Sequence, residues 1–184
     1  MQPQKAIIPG ILLGSLILIL SARLLTSTQP VNAATEQPKK KNSRQISCTM
    51  KSLPDAIQPW CIQIEAAAKK YSVPAELIAA VMMQESGGQS DVISSSGAVG
   101  LMQVMPSDGI AASFMCANGP CFASRPTTDQ LLDPEFNIDY GVKMLAGLLE
   151  RYGNERDALK SYGPYNVGYY YADKVLAIRS TLLE

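Results

Sequence analysis

LIAAVMMQESGGQSDVISSSGAVGLMQVMP, Leu77 to Pro106, opens with a run that is apolar on every side, reaches one carboxylate, Glu85, and stops at Gly87–Gly88. A helix with no polar face belongs in the middle of a domain rather than on its surface. Pro74, just ahead of the run, is suited to a first helical position, and the paired glycines end the helix. Glu85 therefore falls in the last turn of a central helix, at the negative end of its dipole. Apolar surroundings and that dipole both push a carboxyl pKa upward. The positions three and four residues away hold Val81, Met82, Gly88 and Gln89, so no helical ion pair compensates the acid. A carboxylate so placed needs a partner or a chemical role.

Helical patterning continues on either side. Ile57, Trp60, Cys61, Ile64, Ala67, Ala68 and Tyr71 form one stripe of an earlier helix, with Pro59 in its first turn. After the glycine-punctuated loop DVISSSGAVG, the short apolar segment LMQVMP is stopped by Pro106, and Ser107 to Thr128 reads as irregular with short helices. A long helix starts near Pro134, with Phe136, Tyr140, Met144, Leu145, Leu148 and Tyr152 as its expected inner face. NERDALKSYG gives a shorter helix capped by Asn154 and closed by Gly163, and GYYYADKVLAIRSTLLE gives the last one. No internal repeat and no period-two strand stands out. The fold class is predominantly α, in one domain of ordinary size for a chain of 184 residues.

Composition removes several function classes. The sequence has no histidine, which excludes Ser-His-Asp and Cys-His catalysis and any His-containing zinc site. From Leu53 onward there are 9 Lys and Arg against 15 Asp and Glu, an acidic body that argues against nucleic-acid binding. Lys5 precedes the apolar run Ala6–Leu20, and Val-Asn-Ala at Val31–Ala33 has the small residues of a cleavage site. Residues 1–25 thus read as a signal peptide or an N-terminal membrane anchor, both open, on an exported protein of the periplasm or cell envelope. Residues 26–52 read as a basic, disordered linker and 53–184 as the folded domain. Four cysteines fit an oxidising compartment. Cys116 and Cys121 flank the turn-prone Ala-Asn-Gly-Pro, so that loop closes easily; Cys48 with Cys61 then ties the linker to the first helix. The spacings do not suit zinc, and sequence alone leaves the connectivity open.

Glu85-Ser86, GAVGLMQVMP, NIDYG at Asn137–Gly141, PYNVG at Pro164–Gly168 and YADKVL follow one another in that order. The series resembles the soluble-type lytic transglycosylases, which are similar in fold to goose-type lysozyme, and the resemblance covers Tyr71 to about Ile178. It departs at Pro164, where the family usually has Ala before Tyr-Asn, and in the aromatic run after Asn166.

The resemblance implies a lysozyme-like α+β domain that cleaves peptidoglycan glycan strands at the MurNAc–GlcNAc β-1,4 bond. It implies a 1,6-anhydro product, no metal and no organic cofactor. Glu85 would be the single general acid and base. Ser94, Gln103 and Asn166 would hold sugar hydroxyls and acetamides, and Met102 and Met105 would wall the cleft. Tyr165 would lie near the acid with its hydroxyl free to orient Glu85 or the acetamide. Of Tyr169, Tyr170 and Tyr171, at least one should pack inward. A hydrolase on the same fold would need a second acid, for which Asp91 and Asp108 are the nearby candidates. A non-catalytic wall-binding component is the rival from another class. A cell-envelope secretion or conjugation machinery is a partner that would suit such a protein.

Overall fold

The computed structural model describes residues 47–184. The signal or anchor and most of the expected linker lie outside the described residues. Six α-helices take up about half of the described residues: α1 (Cys61–Tyr71), α2 (Ala75–Ser86), α3 (Thr128–Leu131), α4 (Pro134–Tyr152), α5 (Glu155–Tyr162) and α6 (Tyr170–Leu182). Among the described residues no helix is long and apolar enough to cross a membrane.

The apolar run of α2 is the centre. Leu77 through Met82 have no exposed surface, and α2 packs against α6 and α1. Pro74 lies one position earlier than expected, as the residue capping α2: its carbonyl accepts from the N–H groups of Leu77 and Ile78. Gly87 closes the helix at φ +60° with its N–H on the Met83 carbonyl. Gly88 then lets the chain pass under Ala56, whose carbonyl oxygen would lie 2.1 Å from an added Cβ. Asn154 caps α5 by accepting from the Asp157 N–H, and Asp133 caps α4 by accepting from that of Phe136.

The last residues of the expected linker are fastened to the body. Cys48 is bonded to Cys61, with 5.6 Å between their Cα atoms, and Glu65 accepts from Thr49 N, Thr49 Oγ1 and Met50 N. Cys116 is bonded to Cys121 and closes a hairpin that the sequence pattern did not reveal, β1 (Met115–Cys116) against β2 (Gly119–Pro120). Strands of two residues are too short to show a period of two.

The inner face of α4 matches expectation in part: Leu145 is buried and Tyr140 and Met144 pack against the core. Asn137, Ile138, Gly141, Val142 and Leu145 are buried, while Phe136 is 38 % and Tyr152 41 % exposed. Phe136 and Tyr140 stack on each other at the surface, and Met144 and Leu148 line a groove. The physical reason is the loop that α4 must receive. Asn137 Nδ2 donates to the carbonyls of Val99 (2.9 Å) and Leu131 (2.8 Å), and its Oδ1 accepts from Met102 N–H (2.8 Å). An added Cβ on Gly100 would sit 2.4 Å from Asn137 Nδ2, and one on Gly141 would sit 2.5 Å from the Met102 Cβ. A large apolar side chain has no room at positions 137 and 141, where turn and helix approach that closely, and Ile138, Val142 and Leu145 supply the apolar burial beside them.

Asn137 has no exposed surface, so its loss strands the buried Met102 N–H and Leu131 carbonyl without water to replace it, while the Val99 carbonyl keeps the Val104 N–H. Asn137→Ala is expected to cost about 3 kcal/mol in urea denaturation, whereas Phe136→Ala should change stability little. Equal effects of the two would contradict this packing.

Candidate active site

Helix α2 delivers Glu85 to its last turn, partly exposed at the edge of the core. Burial pushes its carboxyl up to about 7, against a lowering contribution from the hydroxyl of Tyr171, which donates to Glu85 Oε1 at 2.5 Å. Among the described residues no second carboxylate contributes to that shift. Tyr171 itself is 5 % exposed, and burial followed by the Glu85 charge raises its own pKa. An acid of this kind holds a proton near neutral pH and can also release it.

The turn carrying Gly-Leu-Met-Gln is held against the acid by short contacts. Ser86 donates from Oγ to the Leu101 carbonyl (2.9 Å), with the Met82 carbonyl as its helical neighbour (3.2 Å), and accepts from Gly88 N–H. It is thus bound as a helix-end side chain and not poised as a nucleophile. Tyr162 donates to the Met102 carbonyl at 2.9 Å. Gln103, at φ +46°, turns its amide back on the carbonyls of Val92 and Gly100. Ser94 accepts the Ala98 N–H and closes the preceding loop.

A groove of about 750 Å³ runs along this region, lined by Gln103 and Met105 on one side and by Met144, Leu148, Tyr162 and Gly163 among others. Gly163 connects it to the acid, because an added Cβ there would lie 2.4 Å from the Tyr171 ring whose hydroxyl holds Glu85. Tyr165 also lines the groove, and Asn166 lines an adjoining depression with Tyr152, Asp157 and Lys160.

Two expectations are corrected. Met102 is 0 % exposed, so it is core against Gly141 rather than a cleft wall; Leu101 beside it is buried too, and Gln103 is the partly exposed side chain of the turn. Tyr165 is 93 % exposed, and the hydroxyl contact to Glu85 comes from Tyr171 instead. The signal for Tyr171 was present: Tyr171, Val175, Ile178 and Leu182 recur at the spacing of an inward helical stripe, which separates it from its neighbours Tyr169 and Tyr170. Of the acids that could activate water, Asp91 is exposed, and Asp108 accepts from Thr128 N–H and Oγ1, which hold its carboxyl below the usual range. Among the described residues, Cys48, Cys61 and Glu65 group metal-ligand atoms, but the sulfurs are bonded to each other.

A carboxyl raised on folding contributes stability in its protonated form, complete below about 4.5 and lost as pH rises through about 7. Glu85→Gln keeps an acceptor for Tyr171 and has no such titration. The variant is expected to be more stable than the parent at pH 8, by on the order of 2 kcal/mol, with the difference shrinking toward pH 4. A pH-independent difference in thermal melting would contradict the burial of the acid.

The chain is 31 % identical over 151 residues to the membrane-bound lytic murein transglycosylase E of Buchnera aphidicola, covering 82 % of this chain and 62 % of that one. It is 36 % identical over 104 residues to the soluble lytic murein transglycosylase of Escherichia coli, covering 54 % of this chain and 15 % of that one. The chain thus spans less than two thirds of the length of these relatives. The crystal structure of the 70 kDa soluble lytic transglycosylase of Escherichia coli superposes with a TM-score of 0.51 over 65 % of this chain and 23 % of that one, at 22 % identity, a likeness of fold. The transglycosylase SLT domain model matches residues 62–181, from the second residue of α1 to the last turn of α6, and therefore takes in Glu85, the Asn137 clamp and Tyr171 together: the chain belongs to the SLT transglycosylase family.

Proposed function

We propose that the protein is an exported peptidoglycan lytic transglycosylase with Glu85 as its single acid and base. The observation that carries this is a carboxyl raised to about 7 by burial, with no second acid among the described residues contributing to its shift. Protonated Glu85 gives its proton to the oxygen of the MurNAc–GlcNAc bond as the bond to the anomeric carbon breaks. The 2-acetamido group of the same sugar stabilises the positive carbon, which removes the need for a carboxylate nucleophile. The C6 hydroxyl then bonds to that carbon and returns its proton to the Glu85 carboxylate. One C–O bond breaks and one forms, no water is consumed, and Glu85 ends protonated as it began.

Tyr171 keeps Glu85 in one position through the cycle, donating to it in either protonation state. Gln103, Met105 and Tyr165 offer amide, thioether and phenol surface along the groove, a mixture suited to sugar rings and their acetamides. Ser94 supports the loop behind them, and Asn166 extends the polar lining next to Tyr165. The role falls to residues 53–184, with residues 1–25 exporting or anchoring the domain and 26–52 tethering it. Such a domain suits local opening of the wall for a secretion or conjugation apparatus in the cell envelope.

Purified peptidoglycan digested by the protein should release muropeptides one water lighter than hydrolysis products, and Glu85→Gln should lose at least about a thousandfold in rate. The first step needs the protonated acid, so the rate should fall tenfold per pH unit above about 7. Products with free reducing ends would instead mean a hydrolase. No release by a folded protein that binds the wall would mean a non-catalytic wall component.

A further inference from the structure

From Leu53 onward the chain is acidic, yet the groove that ends on Tyr162 and Gly163 has no Asp or Glu in its lining and has two arginines, Arg125 and Arg151. The ion pairs of the described residues use Lys70, Arg156 and Arg179, so neither groove arginine has a carboxylate partner there. Arg125 is held in place without one. Its backbone N–H closes a turn onto the Phe122 carbonyl, its guanidinium lies 5.7 Å from the centre of the Phe122 ring, and Nη1 points at the Met144 sulfur at 2.8 Å. Phe122 packs edge-on against Phe114, also in the lining, with ring centres 6.0 Å apart. Phe114 and Phe122 flank the hairpin of β1 and β2 that the Cys116–Cys121 bond closes, so this hairpin acts as the wall on which Arg125 is mounted. Arg151 projects from the last turn of α4 beside the Tyr152 ring, at 5.8 Å. The positive charge is close enough to the catalytic end to act on the Tyr162 hydroxyl, where the Arg125 charge opposes the upward push of burial and of Glu85.

Two unpaired guanidinium groups in a concave lining without acids focus positive potential in a domain that is otherwise negative, and a ligand bearing carboxylates gains from both. Glycan rings of peptidoglycan are uncharged, but the stem peptides on their lactyl groups carry free carboxylates. We infer that Arg125 and Arg151 form a carboxylate-receiving subsite, and that the groove selects glycan strands bearing acidic stem peptides over bare or amidated ones. The inference rests on the reading of this groove as the glycan site.

Glycan fragments of one length, with acidic stems, with amidated stems and with no stems, separate charge from mere peptide contact. Their binding to Glu85→Gln, measured by titration calorimetry, does not depend on turnover. Acidic stems should bind more tightly than either other form by about fivefold. The preference should shrink at high salt and disappear in the Glu85→Gln protein that also carries Arg125→Gln and Arg151→Gln. It should return when both arginines are replaced by lysine, which restores charge without the packing on Phe122. Equal affinity for the three fragments, or a preference that survives the double glutamine change, overturns the subsite. Failure of the transglycosylase reading shows separately, as absence of cleavage of all three fragments by the unsubstituted protein, whatever the binding order.

Discussion

One buried amide organises the site. Asn137 reaches from α4 into the turn between Val99 and Met102 and satisfies one N–H and two carbonyls that no solvent can reach. Buried backbone groups without partners cost a large part of a domain's net stability, so this amide makes an irregular turn tolerable at the centre of a helical protein. The glycines at 100 and 141 are its counterpart, since each leaves the clearance that lets turn and helix meet. Ser86 fastens the end of α2 to Leu101, and Tyr162 fastens α5 to Met102. The acid is held relative to the groove by elements that cannot move independently.

That rigidity explains how an unfavourable group is kept. An ionised carboxylate in apolar surroundings costs free energy, and among the described residues no basic group contributes to the Glu85 shift to offset it. The domain keeps the acid because the surrounding helices are fixed by contacts made elsewhere, above all by the buried face of α2. Tyr171 restrains the shift by donating to the carboxylate, which leaves the acid poised between holding and releasing its proton. The arginines of the groove act at its other side, on the ligand and not on the acid. In the mechanism we propose, this single carboxyl serves both halves of a reaction whose nucleophile belongs to the sugar.

Much of this was legible in the residues. The all-round apolar run marked α2 as central, Gly87–Gly88 marked its end, and Asn154 and Gly163 bounded α5. The disulfides follow the pairing suggested by the turn-prone loop between Cys116 and Cys121. Other features depend on tertiary contacts with no local trace. The inner face of α4 is set by close approach at Gly100 and Met102, so Phe136 and Tyr152 are turned outward. Met102 is indistinguishable from Met105 by composition, yet one is core and the other lines the groove. Tyr165 carries the family-like motif and Tyr171 carries the contact, because helix α6 turns the latter inward.

The account stands on the protonation of one side chain, which carbon-13 NMR of the Glu85 carboxyl reads directly. A titration midpoint near 7, moving upward in Tyr171→Phe because the donated hydrogen bond is lost, is the expected result. A midpoint near 4.5, indifferent to Tyr171, would contradict it.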